Sequence, residues 1–455
     1  MRLTDPRFTA AIVAAQVLAQ IGAFTLPALL PGYLDRWDLS ATEAGWLVGA
    51  FFAAYVAAVP VLVSLTDRVP GVRIYLVGAG CTAVAHLGFG LLAEGFWSGL
   101  VFRAIAGVGW AGCYMPGLKV LADRLEGAAQ SRAVSWHAAG VGIAGAASFA
   151  MAGLLDALGG PAAAFGFGGL AALVAGAIGV LAMPRHLPPR APDAPPPAAL
   201  LDFRPVFRNR AAMAWIAGYT VHTWELAALR AWGVAFLAAS FARDGAPAWM
   251  PGPAAIFTAA GLVGIAVSVT GNETAQQHGR AKVVTWAMAL AAGFSLATGA
   301  AGMASPILAA LCVIAWNACI YLDSSALTGG TVQSAAPGMR GATMGLHSMC
   351  GYAGGFLGPL GVGVALDWVG PDRAVAWVLA FGHLAPFTLL GLLVLRRLTG
   401  RPEVPAAEDP QGILRRGQEA DAADADGIGK SADAAAAERT RGADPSGIPG
   451  RPPSR

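Results

Sequence analysis

Apolar runs separated by short polar segments recur along this chain from Phe8 to Leu395. A hydrocarbon layer about 30 Å thick is crossed by a helix of roughly 20 mostly apolar residues, and the runs have that length. The pattern predicts twelve spans, over residues 8–30, 44–66, 74–93, 98–121, 133–156, 162–183, 211–239, 253–270, 281–303, 306–333, 342–368 and 373–395. The fold class expected is all-α integral membrane, because a helix satisfies its own backbone polar groups in lipid.

The polar positions between spans are asymmetric. Arg2, Arg7, Arg68, Arg73, Arg124, Arg132, Arg185, Arg190, Arg204, Arg208, Arg210, Arg280, Lys282, Arg340, Arg396 and Arg397 fall in the chain ends and alternate loops, and only Arg36, Arg243 and Arg373 fall in the others. Basic side chains resist translocation, so both termini are expected on the cytoplasmic side of the inner membrane, which requires an even number of spans. The first run, although preceded by Arg2 and Arg7, is too long for a cleaved leader and is expected to be retained as a span.

The stretch 184–210, rich in Pro and Arg, separates six spans from six. Residues 1–183 and 211–398 are read as two bundles joined by a cytoplasmic linker, and 399–455, with few large apolar residues, as a disordered cytoplasmic tail. The halves repeat each other. Gly71 after span 2 matches Gly279 after span 8 at an offset of 208 residues. Ser131-Arg132-Ala133 with His137 matches Met339-Arg340-Gly341 with His347, and spans 5 and 11 end alike at Asp156-Ala157-Leu158-Gly159 and Asp367-Trp368-Val369-Gly370. Such spacing implies two pseudo-symmetric six-helix bundles related by an axis along the membrane normal.

Composition narrows the class. With 56% hydrophobic and 13% charged residues, the chain does not fit a soluble protein of 455 residues. The net charge of +3 follows from loop topology and is no nucleic-acid footprint. Five cysteines lie in apolar runs without zinc-type spacing. Gly107-x-Gly109-x-x-Gly112 and Gly140-x-Gly142-x-x-Gly145 spell a dinucleotide fingerprint, but inside spans with no preceding strand they serve close helix packing. No nucleophile-base arrangement supports an enzyme, and neither a metal nor another cofactor is expected.

After span 2 the chain reads Asp67-Arg68-Val69-Pro70-Gly71-Val72-Arg73, and span 4 carries Arg103 followed by Gly107 and Gly109. On these motifs, with twelve spans and the long central loop, the chain from about residue 8 to 397 resembles the major facilitator superfamily. The loop departs from that family's pattern at Val63, in place of a glycine, and at Pro70, an added residue; span 5 lacks the proline of the family's antiporter signature. The resemblance implies a monomeric secondary transporter working by alternating access. It also implies a central cavity lined by spans 1, 4, 7 and 10.

Ionisable groups inside a membrane are costly and face a cavity, a partner or an interface. Spans 1, 4, 7 and 10 hold Gln16 and Gln20, Arg103, the trio His222, Glu225 and Arg230, and Asn317 with Asp323. His222 and Glu225 share a helical face and read either as a proton relay or as a fixed pair in which Glu225 also compensates Arg230. Asn317, Tyr321 and Ser324 offer one hydrogen-bonding face, with Asp323 off it. Arg103 reads either as snorkelling or as an anion or proton site. Asp67, Arg68, Gly71 and Arg73, with Glu273 and Arg280 in the second half and Asp323, form a candidate conformational gate. Pro116 and Pro359 are candidate hinges. Basic and imidazole groups outnumber central acids, which favours a proton-coupled symporter of a small organic anion in the lipid bilayer. Export of amphipathic drugs, suggested by Trp110, Trp215, Trp224, Trp232 and Trp316, and a transporter-like sensor signalling through the tail are the alternatives.

Overall fold

The computed structural model describes residues 6–66, 68–125, 127–187, 203–337, 339–370 and 373–399. Asp67, most of the linker and the tail from residue 400 lie outside them. Among the described residues all regular structure is helical: α1 (Pro6–Gln20), α2 (Thr25–Trp37), α3 (Ala41–Leu65), α4 (Gly71–Leu92), α5 (Phe96–Arg124), α6 (Gly127–Ala182), α7 (Arg204–Arg208), α8 (Arg210–Asp244), α9 (Pro253–His278), α10 (Arg280–Ala304), α11 (Pro306–Gln333), α12 (Arg340–Val369), α13 (Val375–Gly382) and α14 (Leu384–Thr399).

Ten stretches among these are long and apolar enough to cross a membrane. One of them, Arg132–Ala182, holds two of the expected spans. It bends where Gly159 leaves helical geometry and Gly160 takes φ 71°, a left-handed conformation that glycine adopts without penalty. Dividing that stretch at the bend and adding the 29-residue α5, which carries Arg103 and Lys119 inside it, restores the twelve spans read from the sequence. Leu91, Leu181 and Leu311 stand exposed on the outer surface, as a chain solvated by lipid requires.

Three boundaries differ from expectation. Span 1 is two helices, α1 and α2, interrupted at residues 21–24, where Gly22 approaches His86 and Gly168 so closely that a Cβ would lie 2.4 Å from the His86 ring. The polar groups freed there find partners: the Phe24 N–H donates to Ser148 Oγ at 2.9 Å, and the Ala23 carbonyl accepts from Arg103 Nη1 at 3.4 Å. Span 8 does not stop at residue 270. Gly271-Asn272-Glu273, read as a loop, continues α9 to His278, because polar side chains carry the helix beyond the apolar layer while Gly271 packs on the Leu322 carbonyl. Span 12 is divided between α13 and α14 at His383, whose N–H bonds the Leu379 carbonyl at 2.9 Å.

The basic loops sit at one end of the helices, here called the basic face. At the opposite end one large apolar cluster joins both halves of the chain, with Leu30, Leu47, Phe51 and Phe165 from the first half and Trp232, Phe236, Trp316 and Phe381 from the second. Towards the basic face the core divides into a cluster around Phe8, Tyr75 and Leu121 and another around Trp215, Met288 and Leu327. The halves are therefore welded at one end and separate at the other.

The weld is closest between α3 and α12. Gly45 lies against Pro359, and a Cβ on Gly363 would meet the Ala41 carbonyl at 2.2 Å. The first N–H groups of α3 have no helical acceptor. Ser40 and Glu43 form a reciprocal capping box over them, with Glu43 Oε2 accepting from the Ser40 N–H at 2.9 Å and Ser40 Oγ from the Glu43 N–H at 3.2 Å. The two N–H groups between, of Ala41 and Thr42, donate to the Asp367 carboxylate at 2.9 and 2.7 Å. An acid at the end of α12 thus completes the N-terminus of a helix in the other half of the chain.

Candidate functional site

Between the two separate clusters lies a cavity of about 1230 Å³ that opens on the basic face. Its mouth is set by Arg68, Lys119, Phe203, Glu273 and Met339, and its closed end by Phe24, Arg230 and Tyr321. The walls are not confined to spans 1, 4, 7 and 10. Span 1 contributes Phe24, while α3, α6, α9 and α12 supply as much wall as α5, α8 and α11.

The 35-residue α8 carries His222, Glu225 and Arg230. It starts on the Asn209 cap, whose Oδ1 accepts from the Ala212 N–H at 3.1 Å and whose Nδ2 donates to the Ser334 carbonyl at 2.6 Å. His222 lies on the cavity wall, and its Nδ1 is 2.6 Å from Asp323 Oδ1 on α11, both side chains being buried. The partner of His222 is therefore Asp323, and not Glu225 as helical spacing suggested. Glu225 turns away from the cavity into the packed core. Its Oε1 accepts from Trp316 Nε1 at 2.6 Å and its Oε2 from Thr388 Oγ1 at 3.0 Å. It forms no ion pair with Arg230, whose guanidinium instead donates to the Tyr321 hydroxyl and lies 4.9 Å from the centre of the Phe24 ring. Sequence spacing placed these groups on one helix; only packing decided which neighbour each one meets.

Of the other candidate residues, Tyr321 and Ser324 line the cavity, whereas Asn317 donates to the Ala260 carbonyl at 2.7 Å between α11 and α9. Arg103 is buried within the first half, its Nε 3.2 Å from the Leu47 carbonyl and its guanidinium 4.9 Å from the Phe51 ring centre, and it does not reach the cavity. Gln16 and Gln20 are buried on α1, away from the wall. In the proposed gate, Arg68 and Glu273 stand at the mouth and Gly71 starts α4 against Val120. Arg73 is exposed, and Arg280 packs on Gly329 without an ion pair to Glu273. Asp323, grouped with that gate, is instead the buried partner of His222. Both α5 and α12 run without interruption through Pro116 and Pro359, and the carbonyl of Pro359 accepts from Trp232 Nε1 at 2.8 Å. Of the five tryptophans noted in the sequence, Trp110 alone lines the cavity among the described residues.

Three contributors escaped the sequence reading. Tyr219 stacks between the rings of His222 and His347, at 5.6 and 3.8 Å between centres. His347, seen in the sequence only as the counterpart of His137, is buried with Nδ1 3.1 Å from Thr331 Oγ1. Asp367 showed only as part of a repeated helix ending, and that repeat was its available signal.

Among curated protein sequences none matches the chain. Among solved structures the fold is similar to that of a bacterial homologue of the human lysosomal transporter Spinster, inward-facing and occupied, with a TM-score of 0.70 and 16% identity over 88% of this chain and 98% of that one. The nucleoside transporter NupG gives a TM-score of 0.69 and 12% identity over 86% of this chain and 100% of that one. A POT family transporter in complex with 5-aminolevulinic acid gives 0.69 and 11%, over 87% and 97%. The sequence profile of the Major Facilitator Superfamily matches residues 12–359, so the loop, the span 4 glycines and the cavity between the halves have one explanation. The chain belongs to the Major Facilitator Superfamily and is a multi-pass membrane transporter of small solutes, not an enzyme.

Proposed function

We propose that this transporter couples a small organic anion to protons and works by alternating access, with its basic face in the cytoplasm. The observation that carries this reading is the pair of His222, on the cavity wall, with the buried Asp323, which joins α8 to α11. A carboxylate and an imidazole in contact hold a proton that is exchangeable only where water reaches them. His222, although itself buried, borders the cavity that opens on the basic face, and rocking of the halves around the site would turn it towards the other face.

The charge of the wall supports an anion. Among the described lining residues Arg68, Lys119 and Arg230 are basic and Glu273 is acidic, although Lys119 also meets Asp123 at 2.7 Å. Such a surface draws anions towards the mouth. Arg103 and Glu225, both included in the sequence reading, contribute to the packing of the two halves in this conformation and not to the wall.

The test is transport of organic acids into liposomes holding the purified protein, driven by an imposed proton gradient. Wild-type protein is expected to accumulate its solute, and Asp323→Asn to exchange solute for solute without accumulating it. Accumulation that ignores the gradient, or that survives Asp323→Asn, would overturn proton coupling at this pair. Export of amphipathic cations or neutral compounds in the same liposomes would favour the drug-efflux alternative.

A further inference from the structure

Arg230 is an isolated cation at the closed end of the cavity. Two buried acids, Glu225 on the same helix and Asp323 on α11, are committed elsewhere, Glu225 to Trp316 and Thr388 and Asp323 to His222. Among the described residues no carboxylate forms an ion pair with Arg230. What holds it is neutral: the hydroxyl of Tyr321, and the faces of Phe24 and Tyr321 at 4.9 and 5.5 Å. Gly145 of α6 lies beside it, where a Cβ would stand 3.9 Å from Nη2 in ordinary contact. A guanidinium presents five N–H donors, so one hydrogen bond to a tyrosine leaves most of them for a ligand.

The walls leading to Arg230 are of another kind. On α8, Arg230 and Tyr219 are 11 residues apart, about 16 Å at 1.5 Å per residue. Between them His222, Thr223, Leu226 and Ala227 line the cavity, and Phe52, Trp110 and Met115 of the first half line it too. Beyond this stretch the wall carries His222 and Thr223, and Arg68, Lys119 and Glu273 stand at the mouth. Between Arg230 and His222 the wall of the cavity thus holds an apolar and aromatic stretch.

We propose that the solute is an amphipathic monoanion, its carboxylate or equivalent acid group held by Arg230 and the Tyr321 hydroxyl and its apolar body lying along Leu226, Phe52, Trp110 and Met115. This rests on the anion-transport reading above and names the class of anion. A small hydrophilic acid would leave the aromatic walls uncovered, and an amphipathic cation would meet Arg230 with like charge. The bidentate fit of guanidinium to carboxylate fixes the orientation, head inward and tail towards the mouth.

The test uses the full chain in lipid nanodiscs and a matched series of phenylbutyrate, phenylbutanol, phenylbutylamine and acetate, with ligand binding read by calorimetry and thermal stabilisation. Phenylbutyrate is expected to bind at least about tenfold tighter than the alcohol and the amine, the difference expected of a charge-assisted hydrogen bond, and at least about tenfold tighter than acetate, which has no apolar body to bury. Arg230→Gln should reduce its affinity to that of phenylbutanol, Arg230→Lys should retain part of it, and Tyr321→Phe should fall between. Equal binding of the acid, alcohol and amine, equal binding of acetate, no binding by any of them, or indifference to Arg230→Gln would overturn the proposal. Should Arg230→Gln fail to fold, the charge series on wild-type protein and Arg230→Lys still decides. Flux of the same compounds in liposomes separates the two readings. Transport of the amine or alcohol without the acid removes the anion reading altogether. Transport of the acid unaffected by Arg230→Gln keeps that reading and removes this site.

Discussion

Glu225 shows how little a residue's spacing says about its partner. It shares a helical face with His222 and lies five positions from Arg230, yet it bonds Trp316 and Thr388 on two other helices. Helical periodicity fixes which residues are neighbours on one cylinder; the cylinders packed against it decide which bonds form. Glu225→Ala leaves the buried indole N–H of Trp316 without an acceptor, a cost of about 1–3 kcal/mol for each unsatisfied donor. We expect a clear fall in the thermal unfolding midpoint for Glu225→Ala and a smaller one for Glu225→Gln, which keeps an acceptor oxygen. Equal stability of Glu225→Ala and wild type would remove the structural role given to this carboxylate. Arg103 teaches the same lesson, since a charge inside a span was legible but its carbonyl partners, Leu47 on α3 and Ala23 at the break between α1 and α2, were not.

At the scale of elements, the junction of α3 and α12 carries the most conformational information. Three successive N–H groups of α3, those of Ala41, Thr42 and Glu43, are taken by Asp367 and Ser40, two of them by an acid from the other half of the chain. That arrangement exists only while the face opposite the cavity mouth is closed. Removing a cap costs roughly 0.5–2 kcal/mol, so Asp367→Ala is expected to raise the population open on that face about two- to thirtyfold. Spin-label distances between the ends of α3 and α12 would report the change, and an unaltered distance distribution would show that Asp367 does not hold this face shut. A bulky side chain at Gly363 should act more strongly in the same direction, because there is no room for a Cβ against the Ala41 carbonyl. Elements were legible in the sequence as apolar length, and the bend at Gly159–Gly160 lay at a visible Gly-Gly-Pro. The continuation of α9 to His278 was not legible, because hydropathy marks where lipid ends and not where a helix ends.

At the scale of the molecule, one cluster joins the halves at the far end and two clusters flank an opening at the basic face. The excess of arginine at that face predicts its side of the membrane. In a variant without its five cysteines, a cysteine placed at Arg243 should react with an impermeant thiol reagent on intact cells, and one placed at Arg340 only after permeabilisation. The reverse pattern would invert the direction in which the cavity opens. Truncation after Gly400 is expected to leave transport unchanged, since the spans end before it at Thr399; loss of a cellular response with transport intact would favour the sensor alternative.

The sequence by itself determined the solvent of this fold, the number of spans, the repeat between the halves and the family resemblance, because each follows from local composition, length and spacing along the chain. The tertiary structure alone decided that His222 pairs with Asp323, that Glu225 and Arg103 belong to packing, that Arg230 lies against Phe24 and Tyr321 at the closed end of the cavity, and that Asp367 completes the start of α3. Each of these contacts joins residues on different helices, up to 326 positions apart in the chain for Asp367 and Ala41. Periodicity orients a side chain about its own helix axis, and the neighbour it meets is set by how the helices pack.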